Sequence, residues 1–508
     1  LKKHGLDASI YVEAGGSEID LHDVLSADAV GITTITPTAP RAYEIADIVR
    51  EHGIPVFMGG PHVSFLPDEA LNHCDYVLRG EAENTILPFL RALETGEGME
   101  RIEGISMRSN GGIYHFPTRS LCQNLDELPF PDFSLIRGVK DFSITPVMTS
   151  RGCPFDCNFC SVTGMFGRQF RYASPRRVVE ELRQLAPPAN PDWVFFYDDI
   201  FNASPKRMKE LLRLMISEGV TPHWTAQVRT EVGKDEELLD LMEESKCFAC
   251  YVGLESINPN TLKAYNKKQT IEDVKTCIKN LHAHKIMVHG MFVLGSDEDD
   301  IATIRETAKF AKENRIETVQ FMILTPIPGS RYYQEILDAD RLFTQDWSLY
   351  DGHHVVFEPM KMSYWELQIE TLRALSKFYS WWQIVRKILR FDFYTTLLRA
   401  WGHRILVNWR RSNRDFLSLL KEMAQSAGRV RLTKETFSSF SSGARRLELV
   451  AKRAAEDIRE KVRALRLTPR LTEPESLSEG SEDGRSPMTP QAPHDSCRRR
   501  VGKSDQDA

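Results

Sequence analysis

The chain is 508 residues long, 42% hydrophobic and 27% charged, with a formal net charge of -6 at pH 7. That length leaves room for two or three domains with filled cores, and the acidic balance argues against a nucleic-acid binder, which wants a basic face. No run approaches the roughly 20 apolar residues of a membrane-spanning helix, and no secretory signal is seen.

From the N-terminus, Ala29–Thr36 reads as a buried strand, Arg41–Glu51 as a helix and Ile54–Met58 as a second strand running into Gly59-Gly60-Pro61-His62. Asp75–Leu78 reads as a third strand, just before Arg79-Gly80-Glu81. This is doubly wound, Rossmann-like α/β character, in which ligands sit beyond the carboxyl ends of the strands. Gly59 and Gly60 would let a ligand approach the backbone closely. Ile102–Phe116 reads as a hairpin turning at Asn110-Gly111-Gly112. The proline-punctuated connection Leu128-Pro-Phe-Pro-Asp132 follows. His22 and His62 are expected at the surface or as caps rather than as metal ligands.

Beyond the connection, short apolar runs alternate with helical patterns. The expected strands are Thr145–Thr149, Trp193–Tyr197, Trp224–Gln227, Cys250–Glu255, Val288–Leu294 and Thr318–Leu324. Amphipathic stretches such as Pro175–Leu185, Pro205–Ser217, Asp235–Ser245, Ile271–His284 and Asp299–Glu313 separate them. Strand and helix alternating in this way mean a parallel sheet with right-handed crossovers. Six units where a closed barrel has eight predict an open (βα)6 barrel.

The first of these strands runs into Ser150-Arg-Gly-Cys-Pro-Phe-Asp-Cys-Asn-Phe-Cys-Ser161. The loop brings Cys153, Cys157 and Cys160 to one point and supplies no fourth thiolate, so an iron-sulfur cluster held there keeps one iron without a protein ligand. A structural zinc site would want a fourth Cys or His close by, and none follows before His223. Disulfides are disfavoured because the other cysteines are scattered. Cys247 and Cys250 are spaced like a redox or metal pair, but they lie where a helix runs into a strand, which favours simple burial.

The cysteine loop, with Phe159 just before its last cysteine, resembles the signature of the radical S-adenosylmethionine enzymes. The resemblance implies a [4Fe-4S] cluster on Cys153, Cys157 and Cys160. The amino and carboxylate groups of S-adenosylmethionine would chelate the open iron, and reductive cleavage would yield a 5'-deoxyadenosyl radical. It also implies cofactor contacts at the carboxyl ends of the strands, where parallel barrels do their chemistry. There Asp198 and Asp199 would meet the methionyl amino group. Gln227 and Arg229 end the third strand, where the Arg229 guanidinium would pair with the carboxylate, and Glu255 would accept ribose hydroxyls or the amino group. Val293 and Gly295 would lie on the adenine-contact strand, although Met291 replaces its usual first glycine. Each has a structural alternative: the aspartates as helix caps, and Arg229 with Glu255 as a mutual ion pair.

The first domain resembles the cobalamin-binding domain that precedes the barrel in a large subgroup of that family. There Thr33, Thr34, Gly59 and Gly60 would line the channel for the nucleotide tail of cobalamin. The opening Leu1-Lys2-Lys3-His4-Gly5 belongs in such domains to the first helix, so the first strand is expected to be missing. With it would go the loop that carries a cobalt-ligating Asp-x-His-x-x-Gly motif. The resemblance covers about Leu1 to Pro359.

Past the sixth strand, Thr325–Ser330 leads to Tyr350-Asp-Gly-His-His-Val-Val-Phe357, a region expected to close over the substrate. His353 and His354 are candidate substrate contacts or proton donors, or else neutral residues on an exposed loop. Ser376–Arg411 interleaves Trp381, Trp382, Phe391, Phe393, Tyr394, Trp401 and Trp409 with eight basic residues and the single acid Asp392. It reads either as a helical lid on the barrel or as a cationic helix lying in a membrane interface. From about Thr468 the composition is that of a disordered tail.

The expected organisation is a cobalamin-binding domain over 1–100, a hairpin and linker over 101–142, a radical S-adenosylmethionine barrel over 143–345, a helical region over 346–465 and a tail over 466–508. The resemblance implies methylation of an unactivated carbon, with a small-molecule or lipid substrate and a reductant such as flavodoxin or ferredoxin. The region from Ser330 to Ser363 looks most like relatives acting on hopanoid-type lipids. Two rivals are an oxidative cyclase or rearrangement enzyme like the anaerobic magnesium-protoporphyrin monomethyl ester cyclase, and a non-catalytic cobalamin or cluster sensor. An oxygen-sensitive cluster would place the protein in a reducing cytoplasm, with any membrane contact peripheral.

Overall fold

The computed structural model describes residues 1, 4–13, 18–109, 111–117, 121–139, 142–389 and 391–425. The expected tail, the last part of the expected helical region, Asn110, Arg390 and Cys497 lie outside the described residues. All described residues fall within one compact unit.

Two sheets organise the chain. The first has the order β1 (Val30–Thr33), β2 (Val56–Gly59), β3 (Tyr76–Leu78), β4 (Ile105–Ser109) and β5 (Gly112–His115). β1, β2 and β3 are parallel, while β4 and β5 are antiparallel. The hairpin expected as part of the linker therefore extends the first sheet. Pairing β4 with β3 satisfies backbone groups that an edge strand would leave open. Helix Ala39–Glu51 buries Ala42, Tyr43, Ala46 and Val49, the three-and-four spacing of a helix covering a sheet. Near the N-terminus, Ile10 bridges in parallel to Ile136 of the linker.

β6 (Thr145–Val147) opens the second domain, and the two-residue strands β7 (Ser150–Arg151) and β8 (Arg171–Tyr172) pair with each other around the cysteine loop. Next come β9 (Trp193–Phe196), β10 (His223–Val228), β11 (Cys247–Glu255), β12 (Met287–Leu294) and β13 (Thr318–Ile323). The larger sheet has the order β13-β12-β11-β10-β9-β6, and every pair in it is parallel. Space order equals chain order, so each helix crosses over to the next strand, and the six strands form the open barrel expected. Caps set the helix starts. Ser174, Ser204 and Asp235 accept the third backbone N–H of their helices, and Thr270, Asp300 and Ser363 close full capping boxes.

A register shift between Trp224 and Thr225 sets an extra β11 residue opposite β10. Cys247 and Cys250 consequently share a side, both buried, with sulfurs 3.8 Å apart. They pack in the core, as expected.

After the barrel come helices Tyr364–Phe378, Trp381–Ile388, Phe393–Ser412 and Arg414–Gln425. None is long and apolar enough to cross a membrane.

Candidate functional site

The cysteine loop is held at both ends and in the middle by groups other than its sulfurs. At its entry, Thr149 and Ser150 each donate a backbone N–H and a hydroxyl to the Asp198 carboxylate at the end of β9. Behind them Arg207 donates to the Thr149 hydroxyl at 2.8 Å and to the Ala173 carbonyl at 3.1 Å. At Gly152 a Cβ would come 2.3 Å from the Gln169 carbonyl oxygen, so the chain passes there only as glycine. In the middle, Arg331 and Arg168 pair with Asp156, Asn266 donates to the Asp156 carbonyl, and the Arg229 guanidinium lies 3.7 Å above the Phe155 ring. The Tyr332 N–H donates to the Asn158 carbonyl at 3.0 Å. These contacts orient three sulfurs and engage none of them.

Cys153 is buried, and Cys157 and Cys160 are half-buried. Burial raises all three thiol pKa values, that of Cys160 to about 12. The bare loop therefore carries thiols, and a metal must displace their protons to bind. Among the described residues, the only three Cys, His, Asp or Glu side chains whose ligand atoms all lie within 4.8 Å of one another are Glu236, Asp240 and His284. The three cysteine sulfurs do not form such a group. Three thiolates without a fourth protein ligand are the donor set of an iron-sulfur cluster that keeps one iron open.

Around the loop, the residues expected to contact S-adenosylmethionine divide. Asp198 is a correction: its carboxylate is enclosed and fully used in positioning the loop, with burial raising its pKa against the opposing pull of Arg207, Ser150 and Thr149. Asp199 instead presents a solvent-accessible carboxylate at the barrel mouth, its pKa raised to about 6 by surrounding protein mass and by Asp198. The ion pair considered between Arg229 and Glu255 does not form. Arg229 pairs with Glu231 at 3.0 Å, and Glu255 with Lys267 at 2.6 Å. Glu255 holds φ at +60° where β11 shifts register against β12, a strained backbone of the kind that collects at functional positions. Gln227 is half-buried on β10, its carbonyl accepting from the Phe201 N–H. Phe159 meets Tyr265 edge to face at 4.9 Å. On β12 the Val293 carbonyl accepts from the Tyr265 hydroxyl, and the Gly295 N–H donates to Asp299. Sequence reasoning missed Lys267, Glu231 and Asp299. Lys267 lies in Asn-Lys-Lys-Gln269, where nothing local marks which lysine turns inward.

A cavity of about 4000 Å³ separates the two sheets. Thr33, Gly59 and Gly60 line it from the first sheet, and Met148, Arg151 and Tyr197 from the barrel mouth. Gly60 has φ +96°, and a Cβ there would sit 2.6 Å from the Thr34 carbonyl oxygen. The end of the second strand therefore packs directly on the Thr33–Thr34 turn, and only glycine at position 60 lets the two turns form one backbone rim to the cavity. Thr34 is the exception among the four expected residues: its side chain is buried in the turn, bonded to the Thr38 hydroxyl and the Ile35 carbonyl. Gly60→Ala is expected to lower cobalamin affinity at least about tenfold and to cost about 1–3 kcal/mol of stability, checked by spectroscopic titration with hydroxocobalamin and by thermal melting.

Ion pairs join the domains around this space. Glu81 accepts from Arg171 at 2.6 and 3.0 Å and lies 3.5 Å from Arg151, which pairs with Glu83 at 2.5 Å. His62 is a second correction: fully buried, it contacts Thr36 and Glu69 at 3.3 Å and meets the Trp347 ring edge. The Trp347 indole donates to Glu69 at 2.8 Å, so this histidine belongs to a buried interdomain cluster. His22 is exposed in a one-turn helix capped by Asp20. The adjacent histidines of the 350s differ. His354 is buried between Asp351 at 3.0 Å and Asn413 at 2.9 Å, where burial opposes and the Asp351 carboxylate outweighs, raising its pKa. His353 reaches the cavity, and burial depresses its pKa.

Comparison with known proteins agrees with this geometry. Residues 147–311 match the radical SAM superfamily and residues 19–89 the B12 binding domain. An uncharacterized methyltransferase of Pyrococcus horikoshii is 37% identical over 64% of this chain and 72% of its own length. The bacteriochlorophyllide d C-12(1)-methyltransferase of Chlorobaculum tepidum is 32% identical over 70% of this chain and 75% of its own. In fold, the chain is similar to the cobalamin-dependent S-adenosylmethionine radical enzyme OxsB solved with aqua-cobalamin and S-adenosylmethionine. The TM-score is 0.59, with 14% identity over 89% of this chain and 75% of that one. With an open parallel barrel, a three-cysteine loop after its first strand and a B12 domain joined to it by ion pairs, the chain belongs to the cobalamin-dependent radical S-adenosylmethionine enzymes of the methyltransferase group, whose cofactors are a [4Fe-4S] cluster, S-adenosylmethionine and cobalamin.

Proposed function

We propose that the protein transfers a methyl group to an unactivated carbon of a polycyclic, largely apolar molecule, of which a hopanoid-type lipid is one example. The observation that carries this reading is a cavity whose walls come from both domains: Thr33, Gly59 and Gly60 from the first sheet, and Met148, Arg151 and Tyr197, with Met165 and Phe166 just past the cysteine loop, from the barrel. When bound, the cluster and S-adenosylmethionine supply a radical able to remove a hydrogen atom, and cobalamin supplies the methyl group.

The chain's own residues position and exclude. Cys153, Cys157 and Cys160 would hold the cluster. Asp199, Gln227 and the Glu255–Lys267 pair offer polar groups near the loop for the zwitterionic end of S-adenosylmethionine. Thr33, Gly59 and Gly60 would receive the cobalamin tail. Met148, Met165, Phe166 and Tyr197 present an apolar and aromatic wall that keeps water from a reactive carbon radical. His353 places at the cavity an imidazole whose pKa burial lowers, so that it stands neutral near pH 7 and offers a proton acceptor. Reducing equivalents would come from a flavodoxin or ferredoxin.

The test is anaerobic reconstitution with iron, sulfide and hydroxocobalamin, followed by incubation with methyl-labelled S-adenosylmethionine and a lipid extract. Label in an extracted lipid, formed together with 5'-deoxyadenosine and S-adenosylhomocysteine, is the expected result. Deoxyadenosine without a methylated product would point instead to a cyclase or rearrangement. An intact cluster that forms no deoxyadenosine would point to a sensor.

A further inference from the structure

The helices Trp381–Ile388 and Phe393–Ser412 pack one face on the barrel and leave the other open. Inward, Arg399 is buried and donates to the Phe378 and Ile316 carbonyls, its guanidinium 4.2 Å from the Phe378 ring. Ile384, Leu406 and Trp409 are buried on the same side. The lid reading and the membrane-interface reading of this segment therefore describe two faces of one element. Outward, Trp382 is 78% exposed, Leu389 73% and Phe391 80%, with Trp381, Phe393 and Leu397 each more than half exposed. Six large apolar side chains held open by a buried arginine mooring form a patch of the kind that marks a contact surface.

Charge says what the patch would meet. Besides the inward Arg399, the chain between Trp381 and Ser412 carries Arg386, Lys387, Arg390, Arg404, Arg410 and Arg411 against Asp392 alone. Asp392 is itself paired with Lys387 at 2.7 Å. In a chain whose formal net charge is -6, this local excess of cations is an exception that complements an anionic surface. Tryptophan, phenylalanine and leucine beside arginine and lysine suit the headgroup and acyl boundary of a bilayer, where rings sink and cations pair with phosphates.

We infer that the outward face of helices Trp381–Ile388 and Phe393–Ser412 seats the protein on the surface of a bilayer containing anionic phospholipid. Ile405, 42% exposed on the second of these helices, also lines the interdomain cavity. The helix that carries the seated face therefore reaches the site where an apolar substrate would be received, a consequence that rests on the methyl-transfer reading, whereas bilayer binding itself does not.

The experiment is flotation of the full chain with vesicles of phosphatidylcholine alone and of phosphatidylcholine with phosphatidylglycerol, without cofactors or substrate. Binding to the anionic vesicles is expected to exceed that to the neutral ones at least about tenfold, and to fall as salt is raised. The double substitution Trp382→Ala with Phe391→Ala should lower binding by about tenfold or more, with the thermal midpoint unchanged because both side chains are exposed. Equal recovery with both vesicle types, or anionic binding that the double substitution leaves intact, overturns the inference. So does a concentration-dependent dimer in sedimentation velocity that the double substitution abolishes, since the face would then seat a second copy. Loss of methyl transfer with vesicle binding retained would count against the reaction and leave this surface standing.

Discussion

Cys157→Ala is expected to abolish the four-iron centre and to lower deoxyadenosine formation at least about a thousandfold, some 4 kcal/mol on the barrier. With only three sulfurs on the loop, removing one leaves two thiolates for a cluster that already lacks a protein ligand at one iron. Iron and sulfide content after anaerobic reconstitution, with the absorbance near the visible charge-transfer bands, reads the first effect. Labelled-nucleotide chromatography reads the second. Cys250→Ala is the control: Cys250 is buried against Cys247 in the core, so its loss should reduce stability and leave a reconstituted cluster able to cleave S-adenosylmethionine. A Cys157→Ala protein that still binds four irons would remove the basis of the functional reading.

Asp198→Ala should be the most damaging change among residues that are not cysteine ligands. The carboxylate accepts four hydrogen bonds from Thr149 and Ser150 in a fully buried setting, with Arg207 close behind. Truncation strands those donors and leaves the buried guanidinium without its counter-charge, a loss of about 3–5 kcal/mol. Chemical denaturation should show that drop. Because the same bonds fix the strand end that delivers Cys153, reconstituted iron content should fall as well. Asp199→Ala, one residue on, should leave folding nearly unchanged and weaken S-adenosylmethionine binding instead. The reverse pattern would mean that the two aspartates have exchanged the roles assigned above.

That neighbouring pair shows how far local pattern reaches. Asp198-Asp199 was legible as important because it ends a strand beside the cysteine loop, yet nothing local says which carboxylate turns inward. Strand alternation made the choice: Asp198 falls on the side facing Thr149 and Arg207. The same holds for Arg229 and Glu255, both placed at the barrel mouth by their strand-end positions. Glu231, two residues from Arg229, and Lys267, on the stretch after helix Pro259–Ala264, took each before they could reach one another. His62 looked like a surface residue beside Pro61 but was buried by Trp347, which arrives from 285 residues further along the chain. Such a contact has no signature in the neighbourhood of either residue.

Local information by itself determined the elements, their order and the metal chemistry. Helix caps, strand runs and a three-cysteine loop act over a few bonds, and parallel strands joined by helices admit few topologies. Only the tertiary structure decided which charged groups are consumed in holding the loop, and that the hairpin joins the first sheet. It also placed the Gly59–Gly60 turn and residues flanking the cysteine loop on one cavity, and turned an aromatic face of the helices after the barrel outward. Those outcomes depend on partners distant in sequence, and a buried charge takes whichever partner the packed fold sets beside it.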